Sequence, residues 1–196
     1  MARRLTQRGK ERREQLMAFA AGRFASQGYH PTSVSEIVEG LGVGKGVFYW
    51  YFDSKEQLFL EILKEAQTDL RRRQQQAIGD ETDPVRKIEL GLRASMEWAE
   101  AHRDHEKLLQ FAATETSFLP ALRRGQDIAV GDVVKHVKEA IAQGRIRDTD
   151  PDVLAHAMVG VAGHLTRVFI YERGESADAV VDQAIAFCLE GMSPSS

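Results

Sequence analysis

The chain has 196 residues, enough for one or two domains and a substantial core, and its 43% apolar and 28% charged content is that of a soluble globular protein. No apolar run approaches the roughly 20 residues that a membrane helix needs, and the basic N-terminus lacks the apolar stretch of a signal peptide, so neither a membrane partner nor export is expected. The net charge of −3 hides a split: residues 1–52 carry eight cations (Arg3, Arg4, Arg8, Lys10, Arg12, Arg13, Arg23, Lys45) against four acids (Glu11, Glu14, Glu36, Glu39), a +4 head on a −7 remainder, which suits a nucleic-acid partner for the head alone.

The lone Cys188 rules out an internal disulfide framework and suits a reducing, cytoplasmic location. In chain order, the first predicted helix runs from about Lys10 to Gln27 and buries Leu16, Ala20 and Phe24. Ser33-Val34-Ser35-Glu36 then reads as a capping box: the Ser33 hydroxyl satisfies a free amide and Glu36 reaches back to the cap. Val34, Ile37, Val38 and Leu41 give the second helix a buried face. Gly42 supplies a turn conformation that is costly for a residue with a β-carbon. A short third helix follows, crowded with glycine, lysine and aromatic residues, and Asp53 or Ser54 caps the next, with Glu56 or Gln57 at its third position. Three caps so close together imply three short, separately oriented helices, the pattern of a helix-turn-helix whose second helix lies against a nucleic acid.

A fourth helix is expected from Lys55 into Arg71-Arg72-Arg73-Gln74-Gln75-Gln76, followed by a turn over residues 79–84. Asp83-Pro84 opens a fifth, since proline suits a first helical position. Its polar stripe is Arg86, Glu89, Arg93, Glu97 and Glu100, with most of the rest apolar. Asp104 opens a short helix carrying Leu108, Leu109 and Phe111. A longer one follows Pro120 and ends near Gly144, with Val130, Val133, Val134, Val137 and Ile141 on its apolar face. Asp150-Pro151 starts another, and the last begins near Ser176 with Val180, Val181, Ala184, Phe187 and Cys188. No stretch carries a strand pattern, so the fold class is all-α: a three-helix head followed by a larger helical bundle.

The head also carries a specific resemblance. Ala20-x-x-x-Phe24-x-x-x-Gly28-Tyr29, Thr32-Ser33-Val34-x-x-Ile37 and Gly42-Val43-x-Lys45-Gly46-x-Phe48-Tyr49-x-Tyr51-Phe52-x-Ser54-Lys55-Glu56-x-Leu58 resemble the N-terminal DNA-binding domain of the TetR family of transcriptional repressors. The resemblance spans roughly residues 10–60 and implies a helix-turn-helix domain over 1–54 and a ligand-binding and dimerisation bundle over 55–196. Arg23 stands where the family usually has an apolar residue. Val47 and Gly44 stand where threonine and serine are common, which shifts weight toward a thymine-methyl contact by Val47.

On the DNA face, Lys45 can reach a guanine edge or a phosphate, and Gly44 and Gly46 let the helix backbone approach the groove. Tyr49 and Lys55 match positions where the family contacts phosphates, with Trp50 and Tyr51 flanking them. Thr32 and Ser33 would offer hydroxyls to another phosphate, and Ser35 is a base-contact candidate. Phe48 and Phe52 are read as core. In the bundle, the apolar last two helices supply a homodimer interface through Val161, Leu165, Ala184 and Phe187. The resemblance implies a small-molecule effector pocket among the middle helices, for which Met96, Trp98, Phe111, Phe118 and His164 are candidates. His156, Gly160, His164 and Tyr171 form a stripe that faces either a ligand or a close helix contact. His102 and His105 lack a third ligand for a metal, and no phosphate loop or nucleophile–base arrangement is present, so no enzyme, metal or cofactor is expected. The sequence reads as a ligand-responsive, sequence-specific repressor of a double-stranded, palindromic operator, released by a small apolar or amphipathic molecule.

Overall fold

A computed structural model describes residues 6–190. Arg3 and Arg4, two cations of the basic head, lie outside the described residues. Within them the order is α1 (Gln7–Gln27), α2 (Val34–Gly40), α3 (Lys45–Tyr51), α4 (Lys55–Ile78), α5 (Pro84–Ala101), α6 (Arg103–Thr114), α7 (Leu119–Ala142), α8 (Pro151–Leu165), a π-helical segment (Thr166–Glu172) and α9 (Ala177–Glu190). No strand occurs among the described residues. The expected caps are present. Asp83 accepts from the Val85 amide and Asp150 from Asp152, while α1 starts at Gln7 and not near Lys10, with a cap not expected from the sequence: Thr6 accepts from the Gly9 amide. Ser54 accepts from the Gln57 amide while the Gln57 side chain accepts from Asp53. Gly42 has φ 64°, the left-handed turn its position requires.

The chain packs as two compact units. The first comprises residues up to Ala66 together with Lys107–Leu122, and the second Gln67–Glu106 together with Arg123 onward. The packing boundaries therefore cut α4, α6 and α7. In the first unit, Leu16, Ala20 and Phe24 of α1 meet Ile37, Phe48, Phe52, Leu58 and Phe59, all nearly or wholly buried, and Leu108, Ala112 and Phe118 complete this core. Gly40 gives α1 and α2 their close approach: a β-carbon there would stand 2.0 Å from the Phe19 ring.

In the second unit, Ile88, Leu92 and Met96 line one face of α5 and pack with Val137, Leu154, Met158, Ile170, Val181, Ile185 and Cys188. The C-terminal half of α4 joins this unit by polar bonds. Gln67 donates to the Gly125 carbonyl (2.8 Å), the Trp98 indole to Asp69 (2.7 Å), and Gln74 to the Gly91 carbonyl (3.3 Å). Arg71 pairs bidentately with Asp132. All of the buried residues of α4 (Leu58, Phe59, Ile62, Leu63) fall in its first half.

No apolar run near the roughly 20 residues of a membrane helix was expected from the sequence, and that expectation changes here. The π-helical segment was not foreseen, and it prolongs α8 into one 22-residue helix, Pro151–Glu172, with mean hydropathy 1.5, long and apolar enough to cross a membrane by length and composition alone. Its apolar residues are split between faces. Leu154, Ala155, Met158 and Ala162 are buried in the unit's own core, whereas Val153 remains 62% exposed.

The Gly40 contact yields a stability prediction. Gly40→Ala forces the Phe19 ring aside and should cost on the order of 1–3 kcal/mol, as overpacking does. In a Phe19→Ala background the same change should cost much less, because the clashing ring is gone. Urea denaturation of the four proteins checks this, and equal costs in both backgrounds would contradict it.

Candidate nucleic-acid interface

The helix-turn-helix is built from its caps outward. Ser33 closes the capping box of α2, accepting from the Glu36 amide (3.2 Å) while its own amide donates to the Glu36 carboxylate (2.7 Å). These bonds from Ser33, with a smaller contribution from Arg23, hold the Glu36 carboxyl below its ordinary range. Arg23 reaches the same carboxylate at 3.3 Å. The cation that breaks the family's apolar pattern thus ties α1 to the start of α2. Leu41 to Gly44 then form the turn into α3, and the Val43 amide bonds back to the Val38 carbonyl at 2.9 Å.

The seven residues of α3 divide sharply between core and surface. Phe48 is wholly buried and Phe52, at its C-cap, is 1% exposed. Tyr49 is 55% exposed and Trp50 51%. Lys45 and both flanking glycines, Gly44 and Gly46, are exposed, and beyond the adjoining backbone and chain neighbours no atom lies within 4 Å of where a β-carbon would stand at either glycine. Val47 and Tyr51 are half-buried, as is Ser35 on α2. This arrangement offers a cation, a phenol, an indole and bare backbone on one short helix, the chemistry that grips phosphates and base edges.

Two residues read as phosphate contacts are otherwise engaged. The Thr32 hydroxyl is fully buried and donates to the Gly28 carbonyl at 2.8 Å. The Lys55 ammonium donates to the carbonyls of Tyr29 and Thr32, both at 2.8 Å, and more weakly to His30 at 3.4 Å. It also lies 4.2 Å from the centre of the Tyr29 ring. Burial lowers the Lys55 pKa from its ordinary value, with Glu36 pulling the other way. Sequence spacing showed where these residues sit but not that the α1–α2 loop turns its carbonyls toward α4.

That loop has a further support that sequence reasoning missed. Tyr29 stacks on Phe111 of α6, ring centres 4.9 Å apart and planes 24° apart, and His30 meets Glu115 at 2.9 Å. Phe111 and Phe118, read as effector-pocket residues, are therefore part of the first unit's aromatic core with Phe59. The amphipathic pattern of α6 gave its apolar face but not the unit on which that face packs.

The other effector candidates lie in the second unit. Met96 is enclosed in its core. Trp98 stacks on His102, centres 4.2 Å apart, and meets His105 edge-on. Burial, with the His102 charge adding to it, depresses the His105 pKa to about 4, so it stays neutral near pH 7. His164 lines an open apolar groove of about 650 Å³ with Ala157, Gly160, Val161, Leu165 and Phe187. Three of the four dimer candidates are thus brought together, and Phe187 is 67% exposed. The fourth, Ala184, is 4% exposed and belongs to the unit's own core, because it falls on the inward face of α9. Neither Gly160 nor Gly163 makes a close contact within the chain.

Comparison with known proteins places this geometry among relatives. The sequence profile of the bacterial regulatory proteins of the tetR family matches residues 16–62. The chain is 27% identical over 195 residues to the uncharacterized HTH-type transcriptional regulator YdgC of Bacillus subtilis, covering 95% of each chain. It is 29% identical over 191 residues to the HTH-type transcriptional repressor KstR2 of Mycolicibacterium smegmatis, covering 94% of this chain and 92% of that one. The crystal structure of the transcriptional regulator FadR from Bacillus subtilis in complex with stearoyl-CoA shares the fold, with a TM-score of 0.82 at 17% identity over 91% of this chain and 98% of that one.

The two lysines should behave oppositely in folding. Lys55→Met strips the donor from the Tyr29 and Thr32 carbonyls and should lower unfolding free energy by about 1–2 kcal/mol. Lys45→Ala, on an exposed position, should stay within about 0.5 kcal/mol of the parent. Chemical denaturation measures both, and an unchanged Lys55→Met protein would contradict the bonding described for that ammonium.

Proposed function

We propose that this chain, which belongs to the tetR family of bacterial regulatory proteins, is a sequence-specific repressor that binds a palindromic operator as a homodimer and is released by a small apolar or amphipathic molecule. The observation that carries the reading is the exposure of Lys45, Tyr49 and Trp50 on α3, directly over the buried Phe48 and Phe52. Exposed aromatic side chains anchored over a rigid core, next to Lys45, suit a phosphate-lined groove. Gly44, Gly46, Val47 and Tyr51 complete that surface, with Ser33 at the cap of α2 and Ser35 on it. Thr32 and Lys55 act as its support. The functional division is a DNA-binding part over 1–54 and an effector and dimer part over 55–196, working in the cytoplasm.

One helix-turn-helix reads only a few base pairs, so specificity at cellular salt calls for two of them on one duplex. The groove of Val161, Leu165 and Phe187 on α8 and α9 is the surface a second copy would cover, since large exposed apolar side chains such as Phe187 and Val153 are otherwise unfavourable in water. The amphipathic effector class is supported by the stearoyl-CoA complex of FadR from Bacillus subtilis, and repression by the likeness to KstR2.

Release would act through α4, which contributes residues to both units. Its first half is fixed by buried Leu58, Phe59, Ile62 and Leu63, and its second half by hydrogen bonds of about 1 kcal/mol each. An effector that prefers a rearranged second unit can exchange such bonds at low cost, and DNA must then weaken effector binding by the same factor.

Fluorescence anisotropy on DNA from upstream of the gene tests the reading. Lys45→Ala and Tyr49→Ala should each weaken binding roughly tenfold with the melting temperature nearly unchanged, and loss of the Lys45 cation should also flatten the salt dependence. Parent-like dissociation constants for both variants would show that α3 is not the reading helix.

A further inference from the structure

The corner between α5 and α6 holds two charged side chains that the DNA-binding reading leaves unused. Arg103, the first residue of α6, donates to the Ile170 carbonyl in the π-helical segment and to the Glu175 carbonyl (2.9 Å) in the turn before α9. Glu100, one helical turn earlier on α5, places one carboxylate oxygen 3.5 Å from the Arg103 guanidinium. The other oxygen accepts from the Ala177 amide at 2.8 Å, at the first residue of α9.

A π-helical segment loosens the end of a helix, because its wider hydrogen bonding changes which carbonyls find amides. Here the closing backbone bonds run from Arg173 to Val168 (3.1 Å) and from Glu175 to Phe169 (2.9 Å). The Ile170 and Glu175 carbonyls go instead to Arg103. A planar guanidinium can serve two acceptors at once, whereas an ammonium is a single point charge. At the other side of the turn, Glu100 supplies from a different helix the cap that α9 would otherwise need, with its charge favourably placed at a helix start. One ion pair therefore fixes both the exit of the helix that begins as α8 and the entry of α9.

We infer that Arg103 and Glu100 are positioning residues for the dimer surface: by setting the α8–α9 corner they hold Val161 and Leu165 of α8 in register with Phe187 of α9. This rests on the dimer reading given above. Neither residue lines the apolar groove itself, so their effect on assembly passes through the corner. The same stretch of chain carries Trp98 and His102, stacked one upon the other, so a molecule that disturbed that stack would act on the residues that set the dimer surface.

Sedimentation equilibrium on the full chain tests this at a temperature where every variant is folded by circular dichroism. Arg103→Ala should raise the dimer dissociation constant roughly tenfold or more, the equivalent of one lost charged hydrogen bond. Arg103→Lys should fall between Ala and parent, since it can keep one carbonyl, and Glu100→Gln should behave similarly. Arg93→Ala serves as the control. It removes a different α5–α9 tie, the pair with Asp182, so it should lower the melting temperature while leaving the dimer constant within about twofold. A parental dimer whose constant is unmoved by Arg103→Ala and Arg103→Lys, or moved no more than by Arg93→Ala, overturns the inference alone. A parental monomer at micromolar concentration overturns the dimer reading and the inference with it.

Discussion

A lysine ammonium set among the carbonyls of a loop governs the DNA-binding head. Lys55 begins α4, and its bonds to Tyr29, His30 and Thr32 gather the segment between α1 and α2, whose carbonyls have left one helix and not entered the next. Unpaired carbonyls shielded from water are costly, and here one cation serves three of them. With those carbonyls fixed, the buried Thr32 hydroxyl closes on Gly28, Ser33 caps α2, and Arg23 and Glu36 lock α1 to α2. The orientation of α2 then sets the turn at Gly42, and the buried Phe48 and Phe52 set which face of α3 meets solvent. The exposure of Lys45, Tyr49 and Trp50 is the end of this sequence of constraints.

What could be read in the sequence is what is decided locally. The capping box at Ser33, the Asp-Pro starts at Asp83 and Asp150 and the left-handed Gly42 each depend on residues within one turn of one another, and each appears where expected. Phe48 and Phe52 were legible as core for the same reason: helical spacing alone separates them from Tyr49 and Trp50. What was not legible depends on partners far along the chain. Nothing near Lys55 reveals that Tyr29 lies beneath its ammonium. Nothing near Phe111 reveals that it stacks on Tyr29 and not on the second unit. Ala184 and Phe187 look alike as apolar residues of one helix, and only the packing of α5 and α8 decides that the first is buried and the second exposed. The π-helical segment has no local marker, and the Arg103 fork that bonds the Ile170 and Glu175 carbonyls comes from far along the chain.

The two units are also held differently, which bears on how the proposed regulator could switch. The first is an aromatic core in which Tyr29, Phe59, Phe111 and Phe118 touch in pairs, and close-packed rings tolerate little displacement. Within the second unit, the polar residues of α4 meet α5 and α7 through hydrogen bonds that can be traded for others at modest cost. A rigid first unit and adjustable bonds along α4 are what the proposed ligand-released repressor requires. A core packed uniformly by large apolar residues would offer an effector few low-cost alternatives.

In the proposed function, α3 reads DNA and two copies do so together. Footprinting on the DNA flanking the gene tests it most directly. A two-fold symmetric site whose halves lie ~34–36 Å apart or a multiple of that distance should be protected, and that protection should be lost when Lys45 or Tyr49 is replaced by alanine. Protection of a single asymmetric half-site, or none at protein concentrations that saturate the dimer, would contradict it.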